Sequence, residues 1–304
     1  MKEPSNKTSA EEALVLFETY LLTEKRVAQN SFLAYKSDLE QFVIFLKEQK
    51  TTLFEVSKKQ LKFFLKWLYN QGIGARSVAR KISTLKLLYT FLHEKFDVVN
   101  CAQELLIPHL EKKLPLYLTL EELDRLFEHI GKDISVRGIR NRVMIYLMYA
   151  TGMRVSELLS LTVDSIQFQT GFITVVGKGS KERSIPVPAA VLKLLSEYLM
   201  KSNQTKSVEG GYLFCSFHKN GVEPLTRQTL WLLLKKMLTG ACITKKISPH
   251  SLRHSLATHL LAKGVDLRLL QLLLGHEQLA TVQIYTHLEK TELRKIYDKK
   301  HPRA

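Results

Sequence analysis

The chain has 304 residues, 45% of them hydrophobic, and its 45 Lys and Arg against 29 Asp and Glu give a formal net charge of +16. That length and apolar share suffice for two ordinary cores, and cations interspersed along the chain rather than gathered in a tail imply a folded basic surface of the kind that meets nucleic acid. Three scattered cysteines, Cys101, Cys215 and Cys242, argue against a disulfide framework or zinc knuckle, while a polar start and the lack of a long apolar run argue for a cytoplasmic protein without a targeting signal.

The first third reads as four amphipathic helices, over 10–23, 31–48, 57–70 and 75–96, separated by short breaks such as Gln71-Gly72-Ile73-Gly74. Short connections between such helices imply a compact bundle, here spanning residues 6–97. On the third helix Leu61, Phe64, Leu65 and Leu68 form the core stripe, and Lys59, Lys62 and Lys66 mark another face. The fourth carries Arg76, Arg80 and Lys81 near its start. These six cations are candidates for contact with DNA phosphates, although a solvated helix face has the same pattern.

Periodicity weakens over 98–115, around Pro108, His109, Lys112, Lys113 and Pro115, which reads as a linker. Thr119-Leu120-Glu121-Glu122 then has the form of a capped helix start, opening a second domain over 116–304. That domain is expected to be mostly helical with a small inserted β-hairpin. No internal repeat or low-complexity segment is present.

The second domain carries the chemistry. After the break Thr151-Gly152-Met153, Arg154 opens a new element, with Glu157 one turn on to orient it. The β-branched runs 172–176 and 184–187 flank Gly177-Lys178-Gly179-Ser180, a hairpin with Lys178 at its tip. Ser248 is an N-cap and Pro249 fits the first helical position, so His250 and Arg253 stand three apart on one face at a helix start that favours an anion. Gly275 reads as the left-handed residue ending a helix, with His276 emerging from the turn. Tyr285 follows, in or beside a short helix.

Two guanidiniums, two imidazoles and an ammonium would surround a phosphate, and a tyrosine hydroxyl could attack it, so the set suits phosphoryl transfer. The spacing of His250, His254 and His259 could also suggest zinc, but Arg253 would be driven against the metal and no acid or thiolate completes the set. His254 and His287 read as packing or surface residues.

The stretches Ala150-Thr151-Gly152-Met153-Arg154-Val155-Ser156-Glu157-Leu158, Ser248 to His259, Leu273-Leu274-Gly275-His276 and Gln283-Ile284-Tyr285-Thr286-His287 resemble, nearly letter for letter, the boxes of the tyrosine recombinases. The resemblance is strongest to the bacterial Xer recombinases and spans almost the whole chain. The terminal His301-Pro302-Arg303-Ala304 is similar to one branch of that group.

What the resemblance implies is specific. The fold would be mainly α, with an N-terminal four-helix core-binding (SAM-like) domain and a C-terminal mixed α/β catalytic domain closing as a clamp on double-stranded DNA. Tyr285 would form a 3′-phosphotyrosyl link and release a 5′-hydroxyl. Arg154 and Arg253 would hold the phosphate, His250 would support proton transfer from Tyr285, His276 would donate to a non-bridging oxygen, and Lys178 would act as general acid. Energy conserved in the covalent bond removes the need for ATP, metal or cofactor.

The expected partners are a sister recombinase, two copies of each in a tetramer, and a septal DNA translocase as activator. The expected task is resolution of chromosome dimers at a site near the replication terminus. A phage, plasmid or transposon integrase and a type IB topoisomerase are the alternatives. Integrases with arm-type DNA contacts carry an additional N-terminal domain, whereas few residues precede the first helix here. Leu293, Ile296 and Tyr297 form an apolar stripe near the C-terminus that its own domain could cover; the family resemblance implies the other candidate, docking of this segment on a neighbouring protomer.

Overall fold

The computed structural model describes residues 9–109, 116–177, 182–202, 211–218, 221–275, 294 and 297–302. The chain divides into two compact units, Met1–Lys113 and Leu114–Ala304. The first is helical: α1 (Ala10–Thr23), α2 (Gln29–Glu48), α3 (Lys58–Asn70) and α4 (Ala75–Phe96). Capping boxes at Ser9/Glu12 and Ser57/Gln60 start α1 and α3 by satisfying backbone donors that a helix leaves open. Helix α2 begins two residues before the expected Ser31, on Ala28 and without a side-chain cap, so no cap residue signals its start.

Aromatic rings fill the first core. Phe42 meets Phe64 edge-on at 5.0 Å between centroids and Phe17 tilts on Phe91 at 5.4 Å, geometries that add to plain burial. The Tyr89 hydroxyl donates to the Leu53 carbonyl at 3.1 Å, which satisfies its polar end inside the core. Cys101, Ala102 and Leu105 are buried in the same cluster. The stretch expected as linker from residue 98 therefore begins as part of the packed first unit, because its small and apolar residues cover the end of the bundle.

One of the six candidate DNA-contacting cations needs correction. Lys81 is only 2% exposed, and its ammonium donates to the buried Asp38 carboxylate at 2.7 Å. Arg80 donates to the same carboxylate at 2.5 Å and to the Ala34 carbonyl, and the Thr84 hydroxyl completes the set. Two cations and a hydroxyl thus satisfy one buried acid and tie α4 to α2. Lys59, Lys62, Lys66 and Arg76 are exposed.

The second unit is built around α6 (Val136–Thr151), which packs against α5 (Leu120–Gly131), α8 (Ala189–Lys201) and α10 (Pro249–Ala262). Almost the whole of α6 from Gly138 onward is buried, as expected of a helix enclosed by others. Further helices among the described residues are α7 (Val155–Leu159), α9 (Arg227–Gly240) and α11 (Leu267–Leu274). Strands β1 (Ile166–Gln167), β2 (Phe172–Val176) and β3 (Glu182–Pro186) form an antiparallel sheet in the order β1-β2-β3, and β4 (Cys215–His218) pairs with β5 (Gly221–Pro224). In the register Val176 faces Glu182, so β3 starts two residues earlier than the β-branched run suggested. The chain is therefore mainly α with a small inserted sheet, in two domains. Among the described residues, no helix is long and apolar enough to cross a membrane.

Of the apolar stripe near the C-terminus, the described residue Tyr297 packs within its own domain. Tyr297 is 2% exposed in its own domain, with its hydroxyl donating to the Ala150 carbonyl at 2.8 Å and its ring stacked on His301. Arg294 donates to the carbonyls of Gly171 and Val187, and Lys300 to that of Lys263. Intramolecular partners for both the ring and the phenol keep Tyr297 in cis. Leu293 and Ile296 lie outside the described residues. Loss of so large a buried ring costs about 3–5 kcal/mol. Tyr297→Ala should therefore lower the urea midpoint of the catalytic domain strongly, and a midpoint close to the parent's would show that the tail contributes little to its own domain.

Candidate active site

Helix α6 ends at Gly152, whose φ of 61° turns the chain where a Cβ would lie 2.6 Å from Leu274 Cδ2. Only glycine fits a left-handed turn this close to a neighbour. The chain then runs through buried Met153 to Arg154, the extended N-cap of α7. Arg154 is brought back onto Glu157: its backbone N–H donates to Oε2 at 2.7 Å and its Nη1 to Oε1 at 2.9 Å. The other terminal nitrogen, Nη2, donates to the Gly275 carbonyl at 3.1 Å.

Glu157 is shared by a second arginine that the motif reading missed. Arg183, on β3, engages both carboxylate oxygens, Nη1 to Oε1 at 2.8 Å and Nη2 to Oε2 at 2.9 Å. Nothing in its local sequence marks it, and the pair forms only across a 26-residue separation. The one usable signal was the orienting role expected of Glu157, since a buried carboxylate with a single partner would be under-satisfied.

Arg253 completes the cluster from α10. Ser248 caps that helix through the Ser251 amide and Pro249 occupies its first turn, as the sequence predicts. The Arg253 guanidinium donates to the Gly152 carbonyl at 2.5 Å and to the Leu274 carbonyl. Two helix C-termini, those of α6 and α11, thus present carbonyls to arginines, a placement the helix dipole favours.

The electrostatics follow from the count of charges. Burial alone would raise the Glu157 pKa, but the hydrogen bonds from Arg183 and Arg154 outweigh it and hold the carboxyl down to about 2. Burial first, then the neighbouring charges of Arg154 and Arg183, pull the Arg253 guanidinium down to about 10, with Glu157 opposing. Three guanidiniums face one carboxylate, so the cluster carries an excess of two positive charges. Such an arrangement favours an anion beside it.

His250 lies exposed in the first turn of α10, one turn before Arg253. His254 meets Tyr117 edge-on, and His259 is buried with Nδ1 at 3.0 Å from the Tyr149 hydroxyl, so both are packing residues. Gly275 has the expected left-handed φ of 65°. Lys178, His276 and Tyr285 lie outside the described residues, as does His287. Among the described residues no cluster of three His, Cys, Asp or Glu could hold a metal.

Comparison with known proteins agrees with this architecture. Residues 117–292 match the phage integrase family, and residues 14–95 match its N-terminal SAM-like domain. The chain is 39% identical over 290 residues to the tyrosine recombinase XerD of Staphylococcus haemolyticus (strain JCSC1435), covering 94% of this chain and 97% of that protein. It is 38% identical, with the same coverage, to the XerD of Staphylococcus aureus (strain Mu50 / ATCC 700699). Among solved structures, the XerH site-specific recombinase in a pre-cleavage complex with its difH substrate superposes with a TM-score of 0.68 at 27% identity, over 94% of this chain and 83% of that one.

The chain belongs to the phage integrase family, the tyrosine recombinases. Within that family it is a Xer-type, XerD-like site-specific recombinase, an enzyme that breaks and rejoins DNA strands.

The depressed Glu157 pKa makes a prediction for stability. A group whose folded pKa lies below its unfolded value stabilises the fold above the unfolded pKa, and that contribution is lost as pH falls toward the folded value. Here the window runs from about 4.5 down to about 2, and the contribution is roughly 3 kcal/mol. Glu157→Gln should be less stable than the parent at pH 7, with the gap in urea midpoint narrowing as pH falls through this window. A gap independent of pH would mean that the carboxylate charge does not hold the cluster.

Proposed function

We propose that this recombinase acts on double-stranded DNA through a 3′-phosphotyrosyl intermediate, with Arg154, Lys178, His250, Arg253 and His276 acting on the scissile phosphate and Tyr285 as nucleophile. The observation that carries the reading is the two-charge excess of the arginine cluster around Glu157. The Tyr285 oxygen bonds to phosphorus as the bond to the 5′-oxygen breaks. Negative charge builds on the non-bridging oxygens in that step, and fixed guanidiniums lower its energy without needing to reorganise. His250 accepts the tyrosine proton, His276 donates to a non-bridging oxygen, and Lys178 protonates the leaving 5′-oxygen. The freed 5′-hydroxyl of the partner strand reverses the sequence.

Resolution of chromosome dimers at a terminus site is consistent with the XerD names of the relatives; a sister recombinase in a tetramer of two copies each and a septal DNA translocase as activator belong to the same proposal and rest on the family resemblance of the sequence. The exposed Lys59, Lys62, Lys66 and Arg76 provide basic contacts for the duplex backbone. Catalysis and docking then rest on different domains.

Two substitutions test the roles. Tyr285→Phe should bind a half-site duplex normally and form no covalent complex on a nicked suicide substrate; persistence of that complex would refute the nucleophile. Lys178→Ala should cleave an ordinary phosphodiester very slowly yet recover on a substrate with a 5′-bridging sulfur, whose leaving group needs no proton. Equal defects on the two substrates would contradict a general-acid role.

A further inference from the structure

Arg183 counts toward the charge of the cluster but takes no step of its own in the chemistry described so far, and its side chain is closely held. Its side chain is 12% exposed. Both terminal nitrogens are given to Glu157, one to each oxygen, in the two-pronged geometry that an arginine makes and a lysine cannot. Its Nε is buried with no hydrogen-bond partner among the described residues. The middle of the side chain lies against Gly275: a Cβ added there would sit 3.0 Å from the Arg183 Nε and 3.1 Å from its Cζ.

Arg183 thus touches two of the segments that carry candidate catalytic residues. Through Glu157 it reaches Arg154, and at Gly275 it packs on the turn whose carbonyl accepts from Arg154 and which directly precedes His276 in sequence. It belongs to the strand that follows Lys178. Arg154 keeps a partly solvated side chain, 36% exposed, whereas Arg183 is enclosed with both terminal nitrogens committed to the carboxylate. The two arginines on one carboxylate therefore differ in kind: one faces out, the other holds it from behind.

We propose that Arg183 is a positioning residue for strand cleavage, acting through the Glu157 carboxylate to fix the Arg154 guanidinium against the phosphate and to brace the Gly275 turn. The proposal rests on the role given to Arg154 above. Removing Arg183 takes two of the four hydrogen bonds from Glu157. The freed carboxylate then swings with Arg154 and draws more of its charge, so the guanidinium is both misplaced and partly neutralised.

The test is the rate of covalent-complex formation on a suicide substrate, measured beside half-site affinity and thermal unfolding, for Arg183→Met, Arg183→Lys and Glu157→Gln. A misplacement of about 1 Å in a catalytic group is enough to slow a reaction about 100-fold, and a loss of that order is expected for Arg183→Met with half-site binding unchanged. Arg183→Lys keeps the charge and the fold and loses the two-pronged contact; it should recover only part of the rate. Where Met at this site impairs folding, the Lys variant alone decides.

Two readouts separate positioning from a merely structural role. The double variant Glu157→Gln with Arg183→Met should be no slower than Glu157→Gln alone, because the second change acts through the first. Cleavage by Arg183→Lys should also gain an acid limb at higher pH than the parent's, since Glu157 takes up a proton more readily once its partner is weakened. Additive losses, an unmoved pH profile, or a Lys variant that cleaves like the parent would each overturn the proposal. Parent-like cleavage by Arg154→Ala would instead overturn the assignment on which it rests, so the two failures are distinguishable.

Discussion

A buried carboxylate costs several kcal/mol unless its lone pairs are filled, and in this catalytic domain the Glu157 carboxylate is where that constraint is met. Glu157 is 3% exposed and accepts four hydrogen bonds, two from Arg154 and two from Arg183. Each donor comes from an element that the carboxylate thereby fixes: the start of α7 and the strand β3. The acid satisfies itself by collecting cations, and it collects more than it can neutralise once Arg253 arrives from α10. The basic cluster is therefore a consequence of the way one acid is buried.

The surrounding fold supplies the frame. Helix α6 is enclosed by α5, α8 and α10, so its end is held firmly where Gly152 turns the chain. A second helix, α11, ends nearby at Gly275, and the carbonyls at these two ends accept from Arg253 and Arg154. Tyr297 reaches the same region from the C-terminal segment, bonding the carbonyl of Ala150 two residues before Gly152. Core packing, tail and site thus meet at the end of one helix, which makes stability and catalysis hard to separate there.

Much of this was legible in the sequence where the signal is local. The Ser248–Pro249 helix start, the left-handed Gly275 and the four-helix periodicity of the first domain each depend on neighbours within a turn or two. Partners distant in sequence were not legible. Nothing local singles out Arg183, because its carboxylate lies 26 residues away. Lys81 looked like part of a basic face because the pattern is silent about Asp38, 43 residues earlier. Tyr297 belonged to an apolar stripe that fits either its own domain or a neighbour, and only the Ala150 carbonyl and the His301 ring decide for its own.

In the proposed reaction Arg154 and Arg253 offset the charge that builds on the phosphate. The most direct measurement replaces the scissile phosphate with a methylphosphonate, which lacks one charged non-bridging oxygen, and compares cleavage by the parent and by Arg253→Ala. Arg253→Ala is expected to be nearly inert on the phosphodiester and to regain cleavage on the methylphosphonate, where the missing positive charge has less to do. A variant equally inert on both substrates would contradict it, placing Arg253 in the packing of the domain rather than in the stabilisation of charge.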